Sequence, residues 1–274
     1  MRGVVRRSRL PQHVVGVIPA AGHAMRISPL PCSKELYPIG FQSVSGAGGL
    51  RPKPVCQYLL DAMRFARIDR IYIIVRSGKW DIPTYLSDGS AMDLHLAYLI
   101  MNLPYGVPYT VDQAYPFVSK SIVVFGFPDI IFEPDDALVQ LLAYLRQADA
   151  DVALGLFPAN DPARLDMVDV DSQGRVSTLQ LKPEQSELQY TWILAVWTPV
   201  FSEFMHDCLS NREGAMTRSD GAANPAQRTE LSMGAVFQAA TARGLRVVGV
   251  PFPDHTFVDI GTPEDLRRAT RIFG

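Results

Sequence analysis

Little in this chain points to thiol chemistry. The three cysteines, Cys32, Cys56 and Cys208, are odd in number and far apart. With no Cys-x-x-Cys pair, neither a disulfide framework nor a thiolate metal site is expected, and a reducing compartment is. A strong excess of one charge is missing too. The 26 Lys and Arg against 28 Asp and Glu leave a formal net charge of -2, which excludes the broad basic surface of a nucleic-acid binder. A small anionic ligand stays open, since one site needs only a few local cations. No uninterrupted apolar run is long enough to cross a bilayer, so no membrane span is expected. The sequence also lacks a Ser-centred nucleophile elbow, a His-Glu-x-x-His pair and a Walker loop. His23, His95 and His255 show no metal-ligand spacing.

The amino-terminal MRGVVRRSRLPQHVVGVIPAAGHAM imitates a secretory signal, with a basic region, an apolar run and small residues. Pro11, Gln12 and His13 interrupt it, and Pro19 shortens the apolar run, so a cytoplasmic protein is expected. The length of 274 residues and the 47% hydrophobic content suit one α/β domain with a full core.

Strand-length apolar runs alternate with helical patterns, which predicts an α/β fold with a mainly parallel central sheet. Strands are predicted at His13–Ile18, Ile71–Val75, Asp93–Met101, Ser121–Phe127, Asp151–Phe157, Tyr190–Trp197 and Leu245–Val250. Helices are predicted from Pro54, over Asp135–Leu145 and over Glu230–Arg243, and after Thr262 as N-cap. Met167–Val170 and Arg175–Leu181, joined by Asp171-Ser172-Gln173-Gly174, predict a hairpin that opens a β-rich second half. The polar stretch from Ser210 to Arg228 predicts a mobile loop. Trp192 and Trp197 are an odd number of residues apart, so a regular strand would point them to opposite faces.

The first strand runs into Ala20-Ala21-Gly22-His23-Ala24-Met25-Arg26. Small side chains there let backbone amides approach an anion. Arg26 can grip phosphate oxygens in a bidentate fashion, and Lys34 adds a compact charge. Taken alone, such a loop is equally a bland turn with surface cations. Asp129 ends an apolar strand, where open α/β sheets hold ligands. Pro128-Asp129 is otherwise a common turn, and so is Asp259 before Gly261.

The ordered set of motifs resembles the sugar-1-phosphate nucleotidyltransferases, the NDP-sugar pyrophosphorylases. Gly22-His23-Ala24-Met25-Arg26-Ile27-Ser28-Pro29 is similar to the family's Gly-x-Gly-Thr-Arg-x-x-Pro. Ser33-Lys34 through Pro38, Lys53-Pro54, PDIIF from Pro128, QLKP ending at Lys182-Pro183, and FVDIGTPEDL then follow in the family's order. The resemblance implies a Rossmann-like nucleotide-diphospho-sugar transferase fold over the whole chain. Residues 1–133 would form a nucleotide-binding half and 134–274 a sugar-binding half. It implies that a nucleoside triphosphate, UTP or dTTP, condenses with a sugar 1-phosphate to give NDP-sugar and pyrophosphate, with Mg2+ on Asp129 and Asp259. Ala20, Ala21, Gly22, Arg26, Lys34, Met101 and Gly106 would border the nucleotide. Lys182 would meet the sugar phosphate and Trp197 would wall the sugar pocket. Neither a nucleic-acid nor a membrane partner is implied, and self-association stays open.

Several positions depart from the family pattern. Ala24 and Met25 replace its second Gly and its Thr, Met101 stands at a base-reading Gln, and Leu165-Asp166 replaces an aromatic-Gly pair. A regulatory nucleotide-sugar-binding member, a cytidylyltransferase, and a glycosyltransferase using Asp169-Val170-Asp171 therefore remain alternatives.

Overall fold

The computed structural model describes residues 13–43, 49–102, 105–159, 161–219 and 230–273. Its first half holds β1 (Val14–Pro19), β2 (Pro38–Ser43), β3 (Leu50–Pro54), α1 (Cys56–Phe65), β4 (Arg70–Arg76), α2 (Asp81–Leu86), β5 (His95–Met101), α3 (Val107–Asp112), α4 (Tyr115–Val118), β6 (Ile122–Gly126) and β7 (Ile130–Phe132). Then come α5 (Ala137–Gln147), β8 (Val152–Pro158), β9 (Met167–Val170), β10 (Val176–Gln180), β11 (Tyr190–Trp197), α6 (Pro199–Ser219), α7 (Met233–Ala242), β12 (Val247–Pro251), β13 (Phe257–Asp259) and α8 (Pro263–Phe273).

The runs VVGVIP, RIYIIVR and IVVFG are rich in Val and Ile because they are covered on both faces, the usual condition of parallel strands. They form the parallel order β5–β4–β1–β6. The chain leaves β1 towards β4 and β5, then returns to place β6 on the other side of β1. The carboxyl ends of β1 and β6 therefore flank a topological switch point, where open α/β sheets bind ligands. Against β6 runs β11, antiparallel, with Leu194 opposite Gly126 and Trp197 opposite Val123. The other edge of β11 is taken by β8 along its whole length, and β12 pairs parallel to β8.

One apolar cluster packs α1 and α5 onto one face of the sheet. A second packs α3, α6 and α7 onto the other. A third, smaller cluster joins Ile39, Val55, Ile131, Val258, Ile260 and Ala269. It seats the last segment of the chain back on the first half, so residues 133 and 134 mark no structural seam.

Three sequence expectations change. The helix predicted from Pro54 begins at Cys56, because Lys53 and Pro54 end a strand. The loop predicted from Ser210 is helical as far as Ser219; residues 220–229 lie outside the described residues. Pro199 opens that helix, and Phe201, Met205 and Leu209, four residues apart, lay one buried stripe on the second cluster. Trp192 and Trp197 also share one apolar cluster, against Phe125, instead of facing opposite ways. The register of β11 on β8 slips between Trp192 and Leu194, and one extra residue reverses the facing of everything beyond it.

Candidate functional site

Two of the expected residues are brought together by a ladder too short to show a period in the sequence. The three-residue strands β7 and β13 pair antiparallel with Asp259 opposite Ile130, and the Ile260 amide donates to the Asp129 carbonyl at 3.1 Å. Asp129, directly before β7, and Asp259, at the end of β13, thus meet beyond the carboxyl end of β6. Asp129 is 9% exposed. Asp259 Oδ1 accepts a hydrogen bond from the Gly261 amide at 2.7 Å, which fixes one of its oxygens.

Lys34 reaches the same spot from a single 3-10 turn, Lys34–Leu36, and its Nζ donates to Asp129 Oδ2. Burial works against the Lys34 charge, but the charge and hydrogen bond of Asp129, with Glu35 and Asp259 behind, outweigh it and raise the pKa. Burial first, and the neighbouring Asp129 charge second, push Asp259 up to about 6, while Lys34 and Arg26 pull it down. Arg26 completes the group: a Cβ on Gly261 would lie 3.0 Å from an Arg26 terminal nitrogen. Two cations and two carboxylates therefore converge at the β1/β6 switch point.

The loop after β1 has the expected open character. Ala20 and Ala21 are buried, while Gly22, His23, Met25 and Arg26 are exposed. Among the described residues, the amides of Gly22 to Arg26 donate to no backbone carbonyl, so they are available to an anion. Ala24 takes φ 53, the left-handed region that favours glycine. Its carbonyl accepts from the amides of Ile27 and Ser28 and from Ser28 Oγ, closing a turn that carries Arg26.

The turn bearing Lys34 is clamped by residues that the sequence reading missed. Ser33 donates through its amide and Oγ to the Asp81 carboxylate at 2.6 and 2.7 Å. Lys79 Nζ donates to Glu35 Oε1 at 2.6 Å, with both side chains almost fully buried. Lys79 and Asp81 follow β4 at the carboxyl end of the sheet, so the rule that singled out Asp129 applied to them as well. Arg164, also missed, donates to Asp265 Oδ2 at 2.5 Å. Asp265 in turn bonds Thr262, the expected N-cap of α8. Arg164 thereby ties the start of the 161–166 segment to the helix that follows Asp259.

Other expected residues separate. Met101 ends β5 but is buried in the second cluster. Gly106 lies at the mouth of α3, bridged to Leu231; with φ 115 and a Cβ position 2.2 Å from the Leu231 carbonyl oxygen, only glycine fits. Lys182 is exposed at the end of β10 with φ 41, beside Asp166. Trp197 is not brought to the site. It is fully buried, its Nε1 donates to Ser202 Oγ at 2.9 Å, and its partner Val123 is near the amino end of β6, the opposite end of the sheet. It walls no sugar pocket, because β11 runs antiparallel and carries its last residue away from Asp129. Lys53 pairs with Asp61 at 2.8 Å and lies over the Tyr58 ring. All three border a cleft of about 850 Å³ around α1 that none of Arg26, Lys34, Asp129 and Asp259 lines.

A divalent cation suits the Asp129–Asp259 pair. Two hard carboxylates face each other, and burial first and the Asp129 charge second raise the pKa of Asp259. Among the described residues no group of three or more His, Cys, Asp or Glu side chains is arranged to hold a metal ion. The pair thus matches an ion that completes its shell with water and phosphate oxygens rather than with a protein cage.

The profile of the nucleotidyl transferase family matches residues 15–273. The chain belongs to that family. Arg26, Lys34, Asp129 and Asp259 all fall inside the match. A low-salt glycan biosynthesis nucleotidyltransferase of Haloferax volcanii is 24% identical over 94% of this chain and 65% of its own length. A glucose-1-phosphate thymidylyltransferase of Streptomyces antibioticus is 26% identical over 62% of this chain and 48% of its own. The chain therefore spans only about half to two thirds of these curated relatives. Among solved structures, a putative glucose-1-phosphate thymidylyltransferase from Bacillus anthracis superposes with TM-score 0.75 at 18% identity, covering 94% of both chains. The inositol-1-phosphate CTP transferase from T. maritima gives TM-score 0.66 at 16% identity over 95% of this chain and 96% of its own. At these identities the two structures bear on the nucleotidyl transferase fold alone.

Proposed function

We propose that this chain is a cytoplasmic, Mg2+-dependent nucleotidyltransferase that condenses UTP or dTTP with a sugar 1-phosphate, giving NDP-sugar and pyrophosphate. The observation that carries this reading is the meeting of Arg26, Lys34, Asp129 and Asp259 at the β1/β6 switch point. The thymidylyltransferase names among the curated relatives support the sugar 1-phosphate as acceptor. No helix among the described residues is long and apolar enough to cross a membrane.

Both reactants are anions, so positioning and charge stabilisation dominate the chemistry. Arg26 and the amides of the 22–26 loop hold the triphosphate, and Lys34 neutralises charge as it passes to the leaving group. Asp129 and Asp259 would hold Mg2+, which when bound supplies Lewis-acid stabilisation of the phosphate oxygens. Lys182 orients the acceptor phosphate. One of that phosphate's oxygens forms the new bond to the α-phosphorus, the bond from α-phosphorus to the β-phosphate's bridging oxygen breaks, and pyrophosphate departs with the electron pair. No general base is required, because a phosphate monoester is already ionised near neutral pH.

The test is pyrophosphate release from each common nucleoside triphosphate paired with a panel of sugar 1-phosphates and Mg2+, run on the wild type and Asp129→Asn. Turnover with UTP or dTTP, abolished in the variant, is expected. Nucleotide binding without turnover for any pair would refute the enzyme, and near-normal rates in Asp129→Asn would refute the role of that carboxylate.

A further inference from the structure

The departure from the family pattern at Asp166 comes with two buried polar groups that lack partners. Asp166 Oδ1 and Trp192 Nε1 are both buried with no hydrogen-bond partner among the described residues. The two residues are 8% and 6% exposed. Unpaired buried polar atoms are costly and call for an explanation.

Strand register places this pair beside the site. Along one edge of β11, β6 covers Trp197 to Leu194 and β9 covers Thr191 and Tyr190. Trp192 falls in the gap between them. The chain leaving β6 passes it towards Asp129, with the Phe127 ring 5.7 Å from the Trp192 ring. The chain entering β9 arrives there as Asp166, whose carbonyl accepts from Thr191 Oγ1 at 2.8 Å. Upstream, Arg164 is fixed to Asp265 and feels the charge of Asp259.

Burial raises the Asp166 pKa on balance, and the Lys182 charge, the Trp192 indole and the Lys182 amide offset only part of that rise. A Cβ on Gly234 would come within 2.1 Å of Asp166 Oδ2, so the absence of a side chain there admits the carboxylate to the first turn of α7, where the helix dipole favours an anion. These neighbours offset the charge, yet no aligned hydrogen bond closes on Asp166 Oδ1 or Trp192 Nε1.

Building on the function proposed above, we infer that Asp166 and Trp192 form a specificity subsite that reads one hydroxyl of the acceptor sugar. Ionised Asp166 only accepts hydrogen bonds and the indole only donates, and a hydroxyl is the group that does both. A sugar carboxylate would face the charge of Asp166, so the subsite selects a hydroxylated sugar 1-phosphate over uronic acid forms.

The experiment titrates wild type, Asp166→Ala and Asp166→Asn with glucose 1-phosphate and its 2-, 3-, 4- and 6-deoxy analogues by calorimetry, and measures pyrophosphate release from the same mixtures. One analogue should bind the wild type about 10- to 100-fold more weakly than glucose 1-phosphate, because it leaves the buried pair unmatched. Asp166→Ala should bind that analogue and the parent equally, with Asp166→Asn recovering part of the discrimination. The same deoxy penalty in wild type and Asp166→Ala overturns the inference, as does an equal loss for every ligand, which marks a purely structural carboxylate. Failure of the wild type to bind any member of the series overturns it too. Binding that follows the expected pattern with no pyrophosphate release would instead sink the enzymatic reading and leave the subsite standing.

Discussion

Replacing Lys79 by Met should destabilise the fold by about 3 kcal/mol near neutral pH, through Glu35. The Lys79–Glu35 pair is 2.6 Å long, with side chains only 5% and 3% exposed. Removing one partner of such a pair ordinarily costs about 3–5 kcal/mol, since the other charge is stranded. Glu35 can escape by taking up a proton. For a carboxyl with an ordinary value of 4.5, that caps the electrostatic cost near pH 7 at roughly 3 kcal/mol. The sign follows from the shift. Burial already holds Glu35 above its ordinary value, and Lys79 is the main influence holding it down. A raised carboxyl contributes stability that is present below its unfolded pKa and lost as pH rises through its folded pKa. Losing Lys79 extends that loss to higher pH, so the deficit of the variant should be larger at pH 8 than at pH 5. Urea unfolding at both values, with Glu35→Gln/Lys79→Met alongside, measures it. The double variant should regain most of the loss. A deficit below about 1 kcal/mol, or one that does not change with pH, or a double variant no better than the single one, would refute the reasoning. Lys34 is carried on the same turn as Glu35, so the single variant should also lose turnover while still folded.

Asp259→Asn should do the reverse to stability. With Asp259 pushed up to about 6 by burial and Asp129, its ionised form costs the metal-free fold on the order of 1–3 kcal/mol near pH 7. The variant should exceed wild type by that order there and match it near pH 4, with pyrophosphate release lost; equal stability near pH 7 would dispose of the repulsion. Trp197→Phe should lose about 1–3 kcal/mol by removing a buried ring and the bond to Ser202. Its kcat/KM should stay unchanged for every sugar 1-phosphate, and a selective change for one sugar would return Trp197 to the pocket.

The parallel core was legible because residues buried on both faces make continuous Val and Ile runs, and the hairpin because Asp171 to Gly174 is a turn by composition. Helix α6 was missed because Asn211, Arg212, Glu213 and Gly214 follow Phe201, Met205 and Leu209 in the sequence and read as a polar, Gly-interrupted stretch. Strands β7 and β13 are three residues each, too short for alternation to register. The meeting of Asp129 and Asp259 was accordingly suggested by family resemblance and not by any local signal. Facing along β11 failed for a different reason: a bulge leaves the apolar composition intact while inverting the parity on which the inference rested. Lys79 and Asp81 look like ordinary surface charges after a Gly turn until Glu35 and Ser33, more than forty positions earlier, close on them.

The two ends of the sheet are built to different purposes. At the amino ends of the parallel strands, Trp197 is fully buried and its indole satisfied. At the carboxyl ends, like charges adjoin in Asp129 and Asp259, and Asp166 Oδ1, Trp192 Nε1, Glu35 Oε2 and Arg76 Nε are buried without partners. Only Thr198 Oγ1 shares that condition elsewhere among the described residues. Each of these features costs stability, and packing alone would remove them. Their collection on the side where β1 and β6 diverge is what a site looks like when its counter-charges and hydrogen-bond partners arrive with the substrates. The clamp of Lys79 and Asp81 on the Lys34 turn then has a physical purpose: it holds one cation in place before any phosphate is there to hold it.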